Sequence, residues 1–82
     1  MKLNPITYAK LEDYEDYVLT HRDKAGQAYY KRMIVEAARS AGIAEDLPAE
    51  DDLTNAEPWQ VLEWAAEIVE AVEAAKAPPE KN

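Results

Sequence analysis

The chain has no cysteine, which excludes a disulfide framework, thiol chemistry and a cysteine-based zinc site. That absence suits a cytoplasmic protein, and the cytoplasm is the compartment expected. Phenylalanine is also missing, so five Tyr and two Trp supply all the aromatic bulk. Only two Gly are present, and with five Pro and an abundance of Ala and Glu they favour helices over a sheet. Basic residues are scarce: nine Lys and Arg against seventeen Asp and Glu leave a net charge of −8. Such a chain lacks the concentrated basic surface that a nucleic-acid backbone or an anionic lipid surface requires. No apolar run approaches the roughly 18 residues of a membrane span, and the N-terminus has no charged-then-apolar signal pattern.

What is there fits one small domain over residues 1–77, followed by a tail, 78–82, expected to be disordered. The 48% hydrophobic content overstates the core, because much of it is Ala, which buries little area. Met1 to Pro5 reads as a short extended arm, since a residue before proline, here Asn4, is pushed out of the helical region. Thr7 is placed to cap a first helix over about 8–20, with Ile6 and Leu11 at the spacing of a hydrophobic staple. Tyr8, Leu11, Tyr14 and Val18 form its apolar stripe, Tyr17 its margin, and Glu12, Asp13, Glu15 and Asp16 its polar side. The only histidine, His21, reads as an exposed loop or helix-end residue.

A second helix over about 26–41 starts between Asp23 and Gln27, with Gly26 weakening its first turn. Its stripe is Tyr30, Met33, Ile34, Ala37 and Ala41, and Gly42 is placed as a left-handed stop. It is the one basic element, with Lys31, Arg32 and Arg39, and is expected to pair with the acidic faces of its neighbours. The acidic stretch Ile43–Leu53 reads as a solvated linker pinned by Ile43, Leu47 and Leu53, with room for one helical turn near Pro48. Its carboxylates lack the alternation and central Gly of a calcium loop, so no metal is expected.

The third predicted helix, about 56–76, carries the most information. Thr54 and Glu57 have capping-box spacing, Asn55 is an equal alternative as cap, and Pro58 falls in the first turn. At about 100° per residue, Val61, Trp64, Ala65, Ile68 and Val72 make one apolar line. Trp59, Leu62, Ala66 and Val69 make a second, displaced by roughly 120°. Gln60, Glu63, Glu67 and Glu70 fill the rest. A helix with so wide an apolar arc is either the centre of a bundle or keeps one line for a partner. Pro78 and Pro79 stop it.

No catalytic constellation is evident. One histidine and no cysteine exclude Cys–His catalysis, and Gly-rich phosphate loops and nucleophile-elbow sequences are absent. The paired carboxylates lie on solvated helix faces, without the burial that tunes a catalytic acid. The chain is therefore not expected to be an enzyme or to hold a cofactor. Binding through apolar surface remains. Tyr29 and Tyr30 project about 100° apart, and Trp59 and Trp64 roughly 140° apart, so neither pair buries both rings against one neighbour. Trp59, Trp64, Ile68, Tyr29 and Tyr30 are the candidate protein-interaction residues.

The opening Leu3-Asn4-Pro5-Ile6-Thr7-Tyr8-Ala9-Lys10-Leu11-Glu12-Asp13-Tyr14 resembles that of phage tail assembly chaperones, where a short Leu-x-Pro-Leu/Ile-Thr lead enters an acidic first helix. The order of later parts is similar: a middle helix, Tyr30 to Ala41, ending in Gly, then an acidic segment with Leu47 and Leu53, then a final helix with Trp59-x-x-Leu62. The resemblance implies a protein of the bacterial host cytoplasm that binds the long helical tape-measure protein and helps tail-tube subunits polymerise around it. It also implies that the chain is a short form, or the N-terminal domain of a longer frameshifted one. The family has no catalytic residues to carry over.

The expectation is thus an all-α domain of three helices that works by protein–protein contact, as a tail assembly chaperone that binds its client or associates with itself as a homo-oligomer through the third helix. Two other classes fit the charge: an acidic inhibitor that mimics nucleic acid, of anti-restriction or anti-CRISPR type, and a small regulatory or antitoxin-like module.

Overall fold

The computed structural model describes residues 1–24, 27–48 and 50–79. Four α-helices and two short strands follow in the order β1 (Lys2–Leu3), α1 (Tyr8–His21), α2 (Gln27–Ala41), β2 (Ala44–Glu45), α3 (Glu50–Thr54) and α4 (Pro58–Lys76). A 3-10 turn, Arg22–Lys24, leaves α1. The architecture is mostly helical as expected, but it has one helix more than the three foreseen and a small sheet that was not foreseen. Gly26 and the tail residues 80–82 lie outside the described residues, so the expectations placed on them do too.

The first helix begins where local chemistry puts it. The Thr7 hydroxyl accepts from the Lys10 N–H at 3.3 Å, and Ile6 and Leu11 both pack on the core as the staple requires. Tyr8, in the first turn of α1, does not join the stripe; it is mostly exposed. Tyr14 is the one fully buried residue of α1, with Leu11, Tyr17 and Val18 half-buried beside it.

The hinge of the fold is the end of α2. Gly42 takes φ +73, its N–H donates to the Arg39 carbonyl at 3.2 Å, and the Ile43 N–H donates to the Ala38 carbonyl at 3.0 Å. These paired bonds form a Schellman motif, which uses up carbonyls the helix end would leave bare. The reversed chain then meets the N-terminal arm. The Asn4 N–H donates to the Ile43 carbonyl at 2.8 Å, and Asn4 Nδ2 donates to the Gly42 carbonyl at 3.0 Å. Beyond them Lys2 pairs with Glu45 and Leu3 with Ala44 in an antiparallel ladder. The arm is extended because it is a strand.

Two expectations about the segment before α4 are corrected. The stretch Ile43–Leu53 is pinned by Ile43, Leu47 and Leu53 as expected, but it is less solvated than a linker: Ala44 is buried as well, and residues 50–54 form α3. Apolar side chains at both ends of the segment hold it against the domain. The α4 cap is neither Thr54 nor Asn55 but Glu57, in extended geometry (φ −64, ψ 136), with Pro58 as first helical residue. Proline disfavours the helical region for the residue before it, and Glu57 is accordingly extended, so α4 starts after it rather than at Thr54. The same effect ends α4, where Ala77 before Pro78 is extended.

The centre of the bundle is α2, not the last helix. Met33, Ile34, Val35, Ala37, Ala38 and Ala41 are all buried, an arc of about 200° around the helix. Ala37, Ala38 and Ala41 let neighbouring backbones approach closely. Val35 and Ala38 widen the expected stripe, while Tyr30, on the same face, is exposed because it lies near the end of the helix. Within α2 itself Arg32 binds Glu36 at 2.9 Å. A bond from the Tyr17 hydroxyl to Glu36 at 3.2 Å ties α1 to α2, and His21, half-buried, stacks on Tyr17 at 4.0 Å.

Candidate interaction surface

The two apolar lines of α4 have opposite fates. Ala65, Ile68 and Val72 are buried against the core, and Val61 and Trp64 pack at its edge. The second line faces outward: Trp59 is 60% exposed, Leu62 51% and Val69 41%, with Ala66 exposed between them. α4 thus uses one line to join the domain and leaves the other free of it. Successive steps of three, four and three residues along Trp59, Leu62, Ala66 and Val69 are those of a coiled-coil seam.

A cleft opens at each end of this seam. Near Leu62, Lys31, Arg32, Leu53, Pro58 and Val61 line one of about 330 Å³. Near Val69, Leu19, Tyr14, Tyr30, Ile34 and Val72 line another of about 350 Å³. Leu19 and Tyr30 are themselves exposed and extend the apolar surface from α4 onto α1 and α2. Scattered exposed apolar residues are ordinary on a protein surface, but a line of them flanked by clefts marks a contact face.

The sequence-predicted residues divide over this geometry. Trp59 and Tyr30 lie on the exposed surface, whereas Trp64 and Tyr29 are half-buried against the core. Each aromatic pair therefore splits, one ring in and one ring out. Ile68 is fully covered by the chain itself and has no surface to offer. Leu62, Val69 and Leu19 were not singled out. The three-four spacing from Trp59 puts the first two on its line, while nothing in the local pattern marks Leu19.

Charged groups flank the seam. Glu63, Glu67 and Glu70 are exposed along one flank, and Lys31 stands on the other, across the cleft at Leu62. At the far end Lys76 Nζ lies 2.9 Å from Glu15 and 3.9 Å from Glu73, bridging α1 and α4, and its bond to Glu15 raises its pKa. Tyr14, in the wall of the cleft at Val69, has its pKa pushed up to about 12, chiefly by burial, with Tyr30, Glu15 and Glu73 adding negative charge nearby. It is neutral at any physiological pH.

Among the described residues, no three His, Asp or Glu side chains converge as a metal site, and no helix is long and apolar enough to cross a membrane. No protein-family model, curated protein or solved structure matches the chain.

Proposed function

We propose that this chain is a non-enzymatic protein-binding protein that works through the outer line of α4. The observation that carries the reading is that line itself, led by a Trp 60% exposed on a helix that is already anchored by its other face. Trp is the residue most effective as a binding anchor, and an apolar helix face is a standard receptor for a helical partner.

Joined to the resemblance of the N-terminal segment, the reading becomes a phage tail assembly chaperone of the host cytoplasm. It covers apolar stretches of the tape-measure protein and helps tail-tube subunits assemble around it. The test is co-expression with a tape-measure protein from the same genome, scoring how much of that client stays soluble. Trp59→Ala with Leu62→Ser is expected to lose the client while keeping native helicity by circular dichroism. A client held equally well by the double variant overturns the assignment.

A second reading rests on a separate observation. Glu12, Asp13 and Asp16 of α1 are exposed on a chain of net charge −8, which suits an acidic inhibitor seated in a basic groove. Binding of that kind collapses as salt is raised, whereas an apolar contact is little weakened.

A further inference from the structure

We infer that the occupant of the α4 seam is one amphipathic helix of a different protein, carrying apolar residues at three-four spacing and a row of Lys or Arg along one flank. The inference rests on the protein-binding reading of this face and adds the chemistry of the partner. From Trp59 to Val69 the seam is about 15 Å long at 1.5 Å per residue, which matches three turns of a second helix. Knobs in three-four spacing pack into the holes of another helix with the same spacing.

Charge then selects among helices. In the heptad that places Trp59 and Ala66 at one core position and Leu62 and Val69 at the other, Glu63 and Glu70 follow directly on the same flank. All three flank carboxylates, Glu67 included, are on exposed positions. A partner helix lying in the seam sets its own flanking residues against this row, and opposite charge there guides encounter and register.

A second copy of the chain is a poor occupant for the same reason. Glu73 continues the seam four residues beyond Val69. Parallel, in-register pairing sets Glu73 against its own counterpart, since Lys76 makes its closer contact, 2.9 Å, with Glu15. Antiparallel pairing instead brings the Glu63 and Glu70 flanks of the two copies together. Lys31 would meet the acidic flank only in the parallel arrangement. Each copy also carries −8. A basic-flanked helix from elsewhere meets none of these conflicts.

The experiment uses three synthetic helical peptides of equal length, titrated calorimetrically into the full chain at physiological salt. One has a leucine seam with Lys flanks, one the same seam with Glu flanks, and one the scrambled sequence of the first. The Lys-flanked seam is expected to bind at least about tenfold tighter than either control, with a blue shift of tryptophan emission. Glu63→Lys with Glu70→Lys should reverse the preference between the two seam peptides. Equal affinity for both, or no reversal, overturns the basic-helix assignment while leaving the protein-binding face standing. Binding of the Lys-flanked peptide that survives Leu62→Ser lies elsewhere, and removes the protein-binding reading of α4 itself. A dimer seen by light scattering and dissolved by Leu62→Ser means that a second copy fills the seam, which also overturns the inference.

Discussion

Ile68 and Leu62 are aliphatic residues of similar size on one helix, six positions apart, and the fold treats them oppositely. Ile68 is fully buried, so Ile68→Ala removes core packing and leaves a cavity, at a cost of about 2–5 kcal/mol. A chain of this length is stable by roughly 4–12 kcal/mol at 0.05–0.15 kcal/mol per residue. The single substitution therefore consumes a large share of the total. Leu62 is 51% exposed, so it gains only about half of the 1.5–3 kcal/mol that full burial of a leucine supplies. Alanine returns a little of that loss through its higher helix propensity. Leu62→Ala should cost about 1 kcal/mol or less. Urea unfolding followed by far-ultraviolet circular dichroism, extrapolated to water, measures both on one scale. The expected gap is about 1 kcal/mol or more, with the slope of the transition unchanged. If Leu62→Ala proves as costly as Ile68→Ala, the outer line is covered in solution and the reasoning about α4 fails. Repeating the series over protein concentration then reveals whether a second copy covers it.

Two further outcomes follow from the structure. An alanine Cβ at Gly42 would meet nothing closer than Lys10 Cε at 3.9 Å, so the cost of Gly42→Ala is that of a left-handed backbone alone, about 1–2 kcal/mol. Thermal unfolding should fall by about 4–8 °C per kcal/mol, with Gly42→Asn losing less; an unchanged midpoint would refute the role given to the α2 stop. Tyr14 holds its proton up to about pH 12 in the folded chain, against 10 when unfolded, so the unfolded state loses that proton first. Stability from this group is whole below about pH 10 and drains away as pH rises toward 12, by on the order of 2–3 kcal/mol at 1.4 kcal/mol per unit. Tyr14→Phe should flatten that alkaline limb relative to the wild type; an identical pH profile would count against the buried phenol.

Much of the helix map was legible because its signals are local. Thr7 caps α1 with its own hydroxyl, Gly42 stops α2 by accepting a positive φ, and Pro78 stops α4 by forcing Ala77 to be extended. The start of α4 was legible by the same logic and misread: Thr54 and Glu57 have capping-box spacing, but Pro58 already disfavours a helical Glu57. The ladder between β1 and β2 was not legible. Two residues on each side carry no alternation, and they meet only because the Schellman turn at Gly42 brings the chain back beside the arm.

For the candidate surface, the sequence determined that α4 has two apolar lines and that neither aromatic pair buries both rings against one neighbour, since both follow from helix geometry within one segment. It could not say which line turns inward, nor that α2 would be the centre. That choice depends on how much surface the other elements can cover. Here α2, with Ala37, Ala38 and Ala41 permitting close approach, takes neighbours over about 200° of its circumference, so α4 needs to present only the Ile68 line to it. Burial is a property of pairs of surfaces brought together over long stretches of chain, and only the tertiary structure decided that Trp59, Leu62 and Val69 remain outside.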